Sequence, residues 1–180
     1  YECCNRALSV NEYHAKANYI SGLAAWQMGK TYDALDRFEI AALSAEMRSA
    51  ACTELCRLHI VLGDATLALE YAEKALRANG ANVTAMALGH IAASFSGSLD
   101  ADEWLDAVDS LDPLTHLPSF IGFVEGKVSK EMLASSIREE YAWQEYLEAA
   151  LLYASLGLKE DAARLADAAE QNVLTALWGA

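Results

Sequence analysis

Proline is almost missing from these 180 residues, with 2 copies, and glycine is scarce, with 10. Both are helix breakers, so their shortage argues against a β-sandwich or an α/β nucleotide fold and for an all-helical chain. Basic residues are short as well: 13 Lys and Arg face 26 Asp and Glu, a formal charge of −13. That balance disfavours a sequence-independent grip on nucleic acid or on an anionic membrane surface. No apolar run reaches the roughly 18 residues of a membrane span, and no signal peptide is visible. The chain opens Tyr1-Glu2-Cys3-Cys4 without an initiator Met, so a piece of a longer chain is expected. Its four cysteines, Cys3, Cys4, Cys52 and Cys56, do not form a disulfide framework, because a helical domain of this length needs no staples and neighbouring Cys3 and Cys4 cannot bridge within a helix. A reducing, cytoplasmic setting is the expectation. What the chain has in quantity is Ala, with 35 copies, and Leu, with 25, the best helix formers. One continuous core is possible at this size.

A repeat organises the helices. Ala25-Trp-Gln-Met-Gly29-Lys-Thr-Tyr-Asp-Ala34-Leu35 aligns on His59-Ile-Val-Leu-Gly63-Asp-Ala-Thr-Leu-Ala68-Leu69, so Gly29 falls on Gly63, Ala34 on Ala68 and Ala41 on Ala75, each step being 34 residues. Ala7 lies one step before Ala41, and the next step, from Ala68 to Ala101, is 33. Around each Gly the pattern splits into two helices. Ala51, Cys52, Leu55, Cys56, Leu58, Val61 and Leu62 keep helical spacing, Gly63 suits a left-handed C-cap, and Asp64 suits the N-cap of a helix reaching about Ala78. Pro113 stops a later helix after Leu111.

These residues resemble the tetratricopeptide repeat (TPR), a 34-residue helix-turn-helix that stacks into a superhelix. With copies numbered from Ala15, Ser49 and Asn82, the signature small residue at position 8 is matched by Gly22, Cys56 and Gly89, and the position-20 Ala by Ala34, Ala68 and Ala101. Tyr146 and Tyr153 restore an opening aromatic and the position-11 Tyr in the last copy. The resemblance implies an all-α, right-handed superhelical solenoid of antiparallel helix pairs with about twelve helices, in a single domain over 1-180. Its pieces are a half repeat at 1-10, repeats at 15-48, 49-81 and 82-115, a short irregular repeat at 116-142 with Gly122 and Gly126 in its first helix and Ser129 capping its second, a repeat at 143-172, and the start of a further helix at 173-180. The run Asp112-Pro-Leu-Thr-His116, followed by Glu145 to Gly157, also resembles the TPR region of large bacterial proteins that carry an amino-terminal β-rich domain of unknown function.

Reactive constellations are weak. Cys52, Cys56 and His59 share one helical face, as metal ligands would, but they fall at repeat positions that pack between paired helices, where Cys acts as a small hydrophobe. His14, His59, His90 and His116 are scattered, with no His-Glu-x-x-His pair, nucleophile motif or Gly-rich phosphate loop. Carboxylates such as Glu139, Glu140, Glu145 and Glu148 read as a solvated face. No enzyme activity, metal or cofactor is expected.

The resemblance implies that positions 2, 5, 9 and 12 of each first helix line a concave groove. These are Lys16, Tyr19, Leu23 and Trp26; then Ala50, Thr53, Arg57 and Ile60; then Val83, Met86, His90 and Ala93; and in the last copy Gln144, Leu147, Leu151 and Ala154. The binding candidates are Lys16, Tyr19, Leu23, Trp26, Thr53, Arg57, Ile60, Met86 and His90, with Trp26, Tyr19 and Arg57 as anchor types and Lys16 and Arg57 orienting an acidic or polar end. Tyr19 and Trp26 either face that groove or pack on the neighbouring repeat. The function expected is a non-catalytic protein-interaction or scaffolding module for a peptide or partner segment. The alternative is an auxiliary helical domain packed on the catalytic or carbohydrate-related domain of a larger bacterial protein. Self-association through exposed terminal helices is a third outcome.

Overall fold

The computed structural model describes residues 2–137 and 142–169, except for the side chains of Glu2, Cys3 and Asn5. Among the described residues there are eleven α-helices and no strand. The chain forms two compact units, dividing between Leu111 and Asp112. The first unit holds α1 (Glu2–Val10), α2 (Ala15–Gln27), α3 (Thr31–Ala42), α4 (Arg48–Val61), α5 (Ala65–Ala78), α6 (Val83–Ser96) and α7 (Ala101–Leu111). The second holds α8 (Leu117–Val124), α9 (Lys130–Ser136), α10 (Ala142–Ser155) and α11 (Lys159–Ala168). The further helix expected at 173-180, Glu139 and Glu140 lie outside the described residues.

One turn chemistry recurs through both units. Gly29, Gly63, Gly97, Gly126 and Gly157 all adopt left-handed backbone, with φ between 71° and 77°. Each sits just past a helix in the same pair of bonds: Gly29 N–H donates to the Trp26 carbonyl at 2.8 Å and Lys30 N–H to the Ala25 carbonyl at 2.9 Å. The later turns repeat this with Asp64 on His59, Ser98 on Ala93, Lys127 on Gly122 and Leu158 on Tyr153. This closure satisfies the last carbonyls of one helix and sends the chain straight into the next, giving a tight helical hairpin. Gly126 is therefore a turn residue after α8, not part of the first helix of its pair as the sequence suggested. Gly122 is the helical one, and a Cβ added to it would lie 2.9 Å from Val128 Cγ2.

Within the first unit each helix packs on its chain neighbours, and α4 also meets α6. Small residues permit the approach. Ala34, Ala41, Ala68, Ala72 and Ala75 are fully buried, and Gly22 faces the Phe38 ring so closely that an added Cβ would come within 2.8 Å of it. The core joins Ala25, Ala34, Phe38, Leu55 and Leu58, drawn from α2, α3 and α4. Burying such side chains contributes about 1.5–3 kcal/mol each for the larger ones.

Polar joints fix the register between successive pairs. Asn82, the N-cap of α6, accepts from Ala85 N–H at 3.0 Å and donates to Ser49 Oγ and Thr53 Oγ1, both at 2.9 Å, so one amide ends the α5–α6 connection and ties it to α4. Buried Asn18 does the equivalent for α2: its amide nitrogen donates to the Glu12 and His14 carbonyls while its oxygen accepts from Arg37 of α3. In the second unit, Phe120 of α8 meets Tyr146 of α10 edge-on with centroids 5.0 Å apart, and His116 at the start of α8 pairs with Glu145. Arg164 of α11 donates to the Val124 and Phe123 carbonyls, covering the C-terminal end of α8, and stacks over the Phe123 ring.

Candidate interaction surface

The open side of α2 is set by what its aromatic residues do. Tyr19 leans on Phe38, with centroids 5.6 Å apart, and Trp26 packs against the same cluster of Ala25, Ala34, Leu55 and Leu58. Both remain half-buried, shared between the core and the surface. Their inward turn carries the exposed stripe one residue round the helix, to Lys16, Ile20, Leu23 and Gln27, a spacing of four, three and four that keeps all of them on one face. Ile20 is 53% exposed and Leu23 37%. On α4 the corresponding accessible residues are Ala50, Glu54, Arg57 and Val61.

The structure therefore brings together only part of the expected set. Lys16 and Leu23 are exposed, and Tyr19, Trp26 and Arg57 are half-buried at the edge of the same face. Thr53, Ile60, Met86 and His90 are buried. Thr53 gives its hydroxyl to the Ser49 carbonyl and receives Asn82, so it belongs to the α4–α6 joint. His90 is wholly buried in α6, with Nδ1 2.9 Å from the Ala101 carbonyl of α7. All nine residues from Ala85 to Ala93 are buried, so α6 is an interior helix with no open face along that stretch. Ile20, Gln27, Glu54 and Val61 are the contributors that the repeat positions missed. The available signal was the i, i+4, i+7 spacing from Lys16, which competes with i, i+3, i+7 when aromatic residues occupy the second set.

Charge on this face is balanced from within the chain. Lys16 Nζ lies 2.6 Å from Glu46 Oε1, and Arg57 Nε lies 3.2 Å from Glu54 Oε2. The hydrogen bond from Lys16 to Glu46 raises the lysine pKa, so the amine is charged near pH 7. Burial raises the Tyr19 pKa, with Glu54 adding to the effect and Arg57 opposing it, so the phenol is neutral near pH 7. The face is thus an apolar strip bounded by two ion pairs, with Lys16 and Arg57, the residues expected to orient an acidic or polar end, each beside a carboxylate of the chain.

Cys52, Cys56 and His59 lie inside α4's packed side. Burial pushes the Cys56 thiol up to about 12, leaving it protonated and unreactive as a nucleophile. His59 stacks on Tyr71 of α5, centroids 5.3 Å apart and planes 10° from parallel, and Lys74 sits over the other part of this assembly, 4.4 Å from the Tyr71 centroid. Burial lowers the His59 pKa, against the pull of Asp64 and Glu39.

In the second unit the α10 residues Gln144, Leu147, Leu151 and Ala154 are exposed. Leu147 is 48% exposed and Leu151 58%, while Tyr146, Ala149, Ala150 and Tyr153 face inward. Burial raises the Tyr153 pKa far above its ordinary value, so its hydroxyl remains protonated.

Helical hairpins closed by one repeated glycine turn, with small residues where the helices meet, define an all-helical fold of the TPR type. Two crystal structures of MamA, a TPR-like protein, share that fold: one matches with a TM-score of 0.54 and 16% identity over 92% of this chain and 81% of its own. The other, at the same score and identity, covers 93% of this chain and 77% of its own. No protein-family model and no curated protein matches the sequence. No described helix is long and apolar enough to cross a membrane.

Proposed function

We propose that the chain is a protein-interaction module, and that the strip formed by Ile20, Leu23 and Gln27 of α2, with Tyr19, Trp26 and the α4 edge beside it, receives a helical or extended segment of a protein partner. The observation that carries this reading is the exposure of Ile20 and Leu23 on a helix whose aromatic neighbours, Tyr19 and Trp26, pack against the core. Exposed aliphatic side chains beside fixed aromatic rings suit an apolar anchor, because the rings lose little freedom on binding. The work is binding, and the protein contributes a pre-formed surface rather than a reacting group.

The test is a selection of displayed random peptides on the full chain, with counter-selection on an Ile20→Ser, Leu23→Ser variant. Sequences carrying apolar residues at helical spacing, retained by the wild-type chain and lost by the variant, are the expected result. Selected peptides that bind both proteins equally would overturn the assignment of the face. The TPR-type fold supports a partner of this class, since such folds present helix faces to peptides.

A further inference from the structure

We infer that the segment this face accepts is an amphipathic helix with basic, not acidic, flanks; the inference rests on the reading above and adds the partner's chemistry to it. The two cations that would have greeted an acidic peptide are already engaged, Lys16 by Glu46 and Arg57 by Glu54. Each of these cations already has a carboxylate of the chain beside it, so an acidic partner meets a charge that is largely balanced and a second negative group next to it. Within the first unit, 8 basic residues stand against 15 acidic ones, a formal charge of −7, so the field around the strip is negative. Glu46 is an exposed carboxylate, and it keeps acceptor positions beyond the one Lys16 uses. A partner cation near Lys16 can share it without breaking the pair. From Lys16 to Gln27 the stripe runs twelve residues, about 16 Å or three helical turns, with apolar Ile20 and Leu23 at its middle, so the matching segment is about three turns long with apolar residues on one face and its charges toward the ends.

The test uses four labelled peptides of about 18 residues each, long enough to offer the matching turns. Three share one apolar helical stripe and carry Lys, Gln or Glu on the polar face; the fourth is the Lys peptide with its apolar residues scattered round the helix. Binding to the full chain is read by fluorescence anisotropy at about 50 mM and about 300 mM salt, where screening lengths differ. The Lys peptide should bind at least about tenfold more tightly than the Glu peptide at low salt, with Gln between them and the gap shrinking at high salt. Ile20→Ser, Leu23→Ser should weaken the Lys peptide about tenfold, since the anchors are gone while the field is unchanged. Equal binding of the Glu and Lys peptides would overturn the charge assignment and leave the interaction face standing. Equal binding of the scattered and striped Lys peptides would overturn the amphipathic requirement. Failure of all four to bind would overturn both this inference and the reading beneath it.

Discussion

Replacing Gly22 by alanine probes the contact on which the first unit's pairing depends. A Cβ at this position would lie 2.8, 2.9 and 3.0 Å from Phe38 Cε1, Cδ1 and Cζ. The Phe38 ring cannot easily retreat, being fully buried against Ala25, Ala34, Leu55 and Leu58 with Tyr19 leaning on it. Two terms oppose each other. Alanine favours a helix interior over glycine by about 1 kcal/mol, whereas overpacking a filled core costs about 1–3 kcal/mol. The net expectation is a loss of about 1 kcal/mol. In a Phe38→Leu background the ring edge is removed, the clash goes with it, and Gly22→Ala should stabilise by about 0.5–1 kcal/mol from helix propensity alone. The signature is therefore a change of sign between backgrounds, a coupling of about 1–2 kcal/mol. Urea unfolding followed by circular dichroism measures it, with hydrogen exchange of α2 and α3 amides assigning the change to the first unit. If Gly22→Ala stabilised the protein equally in both backgrounds, the argument that α2 approaches α3 through a missing Cβ would be refuted.

Asn82→Ala removes the N-cap of α6 together with its bonds to Ser49 and Thr53, and should cost about 1–3 kcal/mol in urea unfolding; Asn82→Asp should retain the cap and lose the rest. Gly157→Ala places a side chain in left-handed backbone at φ 76° with nothing within 4 Å of the new carbon, so the whole penalty of about 1–2 kcal/mol is conformational, and Gly157→Asn should cost less. The buried His59 has a pKa below 6.5, so the unfolded chain takes up the proton first: its contribution to stability is fully present above about pH 6.5 and declines as the pH falls through the unfolded value. His59→Phe, which can keep the stack on Tyr71 without titrating, should lose less stability than the wild type between about pH 7 and about pH 5, and equal losses would show that other groups govern the acid response.

The hairpins were legible because their turn chemistry is local. Gly29 and Gly63 stand at helix ends in the repeat alignment, and Asp64 and Ser129 supply the side-chain caps expected of them. Gly126 was misread for a physical reason. The α8 helix has only eight residues, the glycine spacing falls from 34 to 29 before it, and Gly122 four residues earlier competes for the turn. The binding face was legible only in part. Periodicity places Lys16 and Leu23 on one side of α2, but whether Tyr19 and Trp26 point out or in depends on the space beside Phe38, which involves residues of α3 and α4 distant in sequence. For α6 the sequence had no answer: a helix apolar all round has no period to read, and repeat positions nominated Met86 and His90 although both are buried. The Glu54–Arg57 pair follows from i, i+3 spacing, whereas the Lys16–Glu46 pair joins α2 to the α3–α4 connection and needs the fold to be seen.

Hydrogen–deuterium exchange of the full chain, with and without a saturating amount of the striped Lys peptide, locates the binding face. Added protection is expected to concentrate in Ala15–Gln27 and Arg48–Val61, with α3 and α5 little changed. Protection confined to α3 and α5, with α2 unaffected while the peptide is demonstrably bound, would contradict that placement.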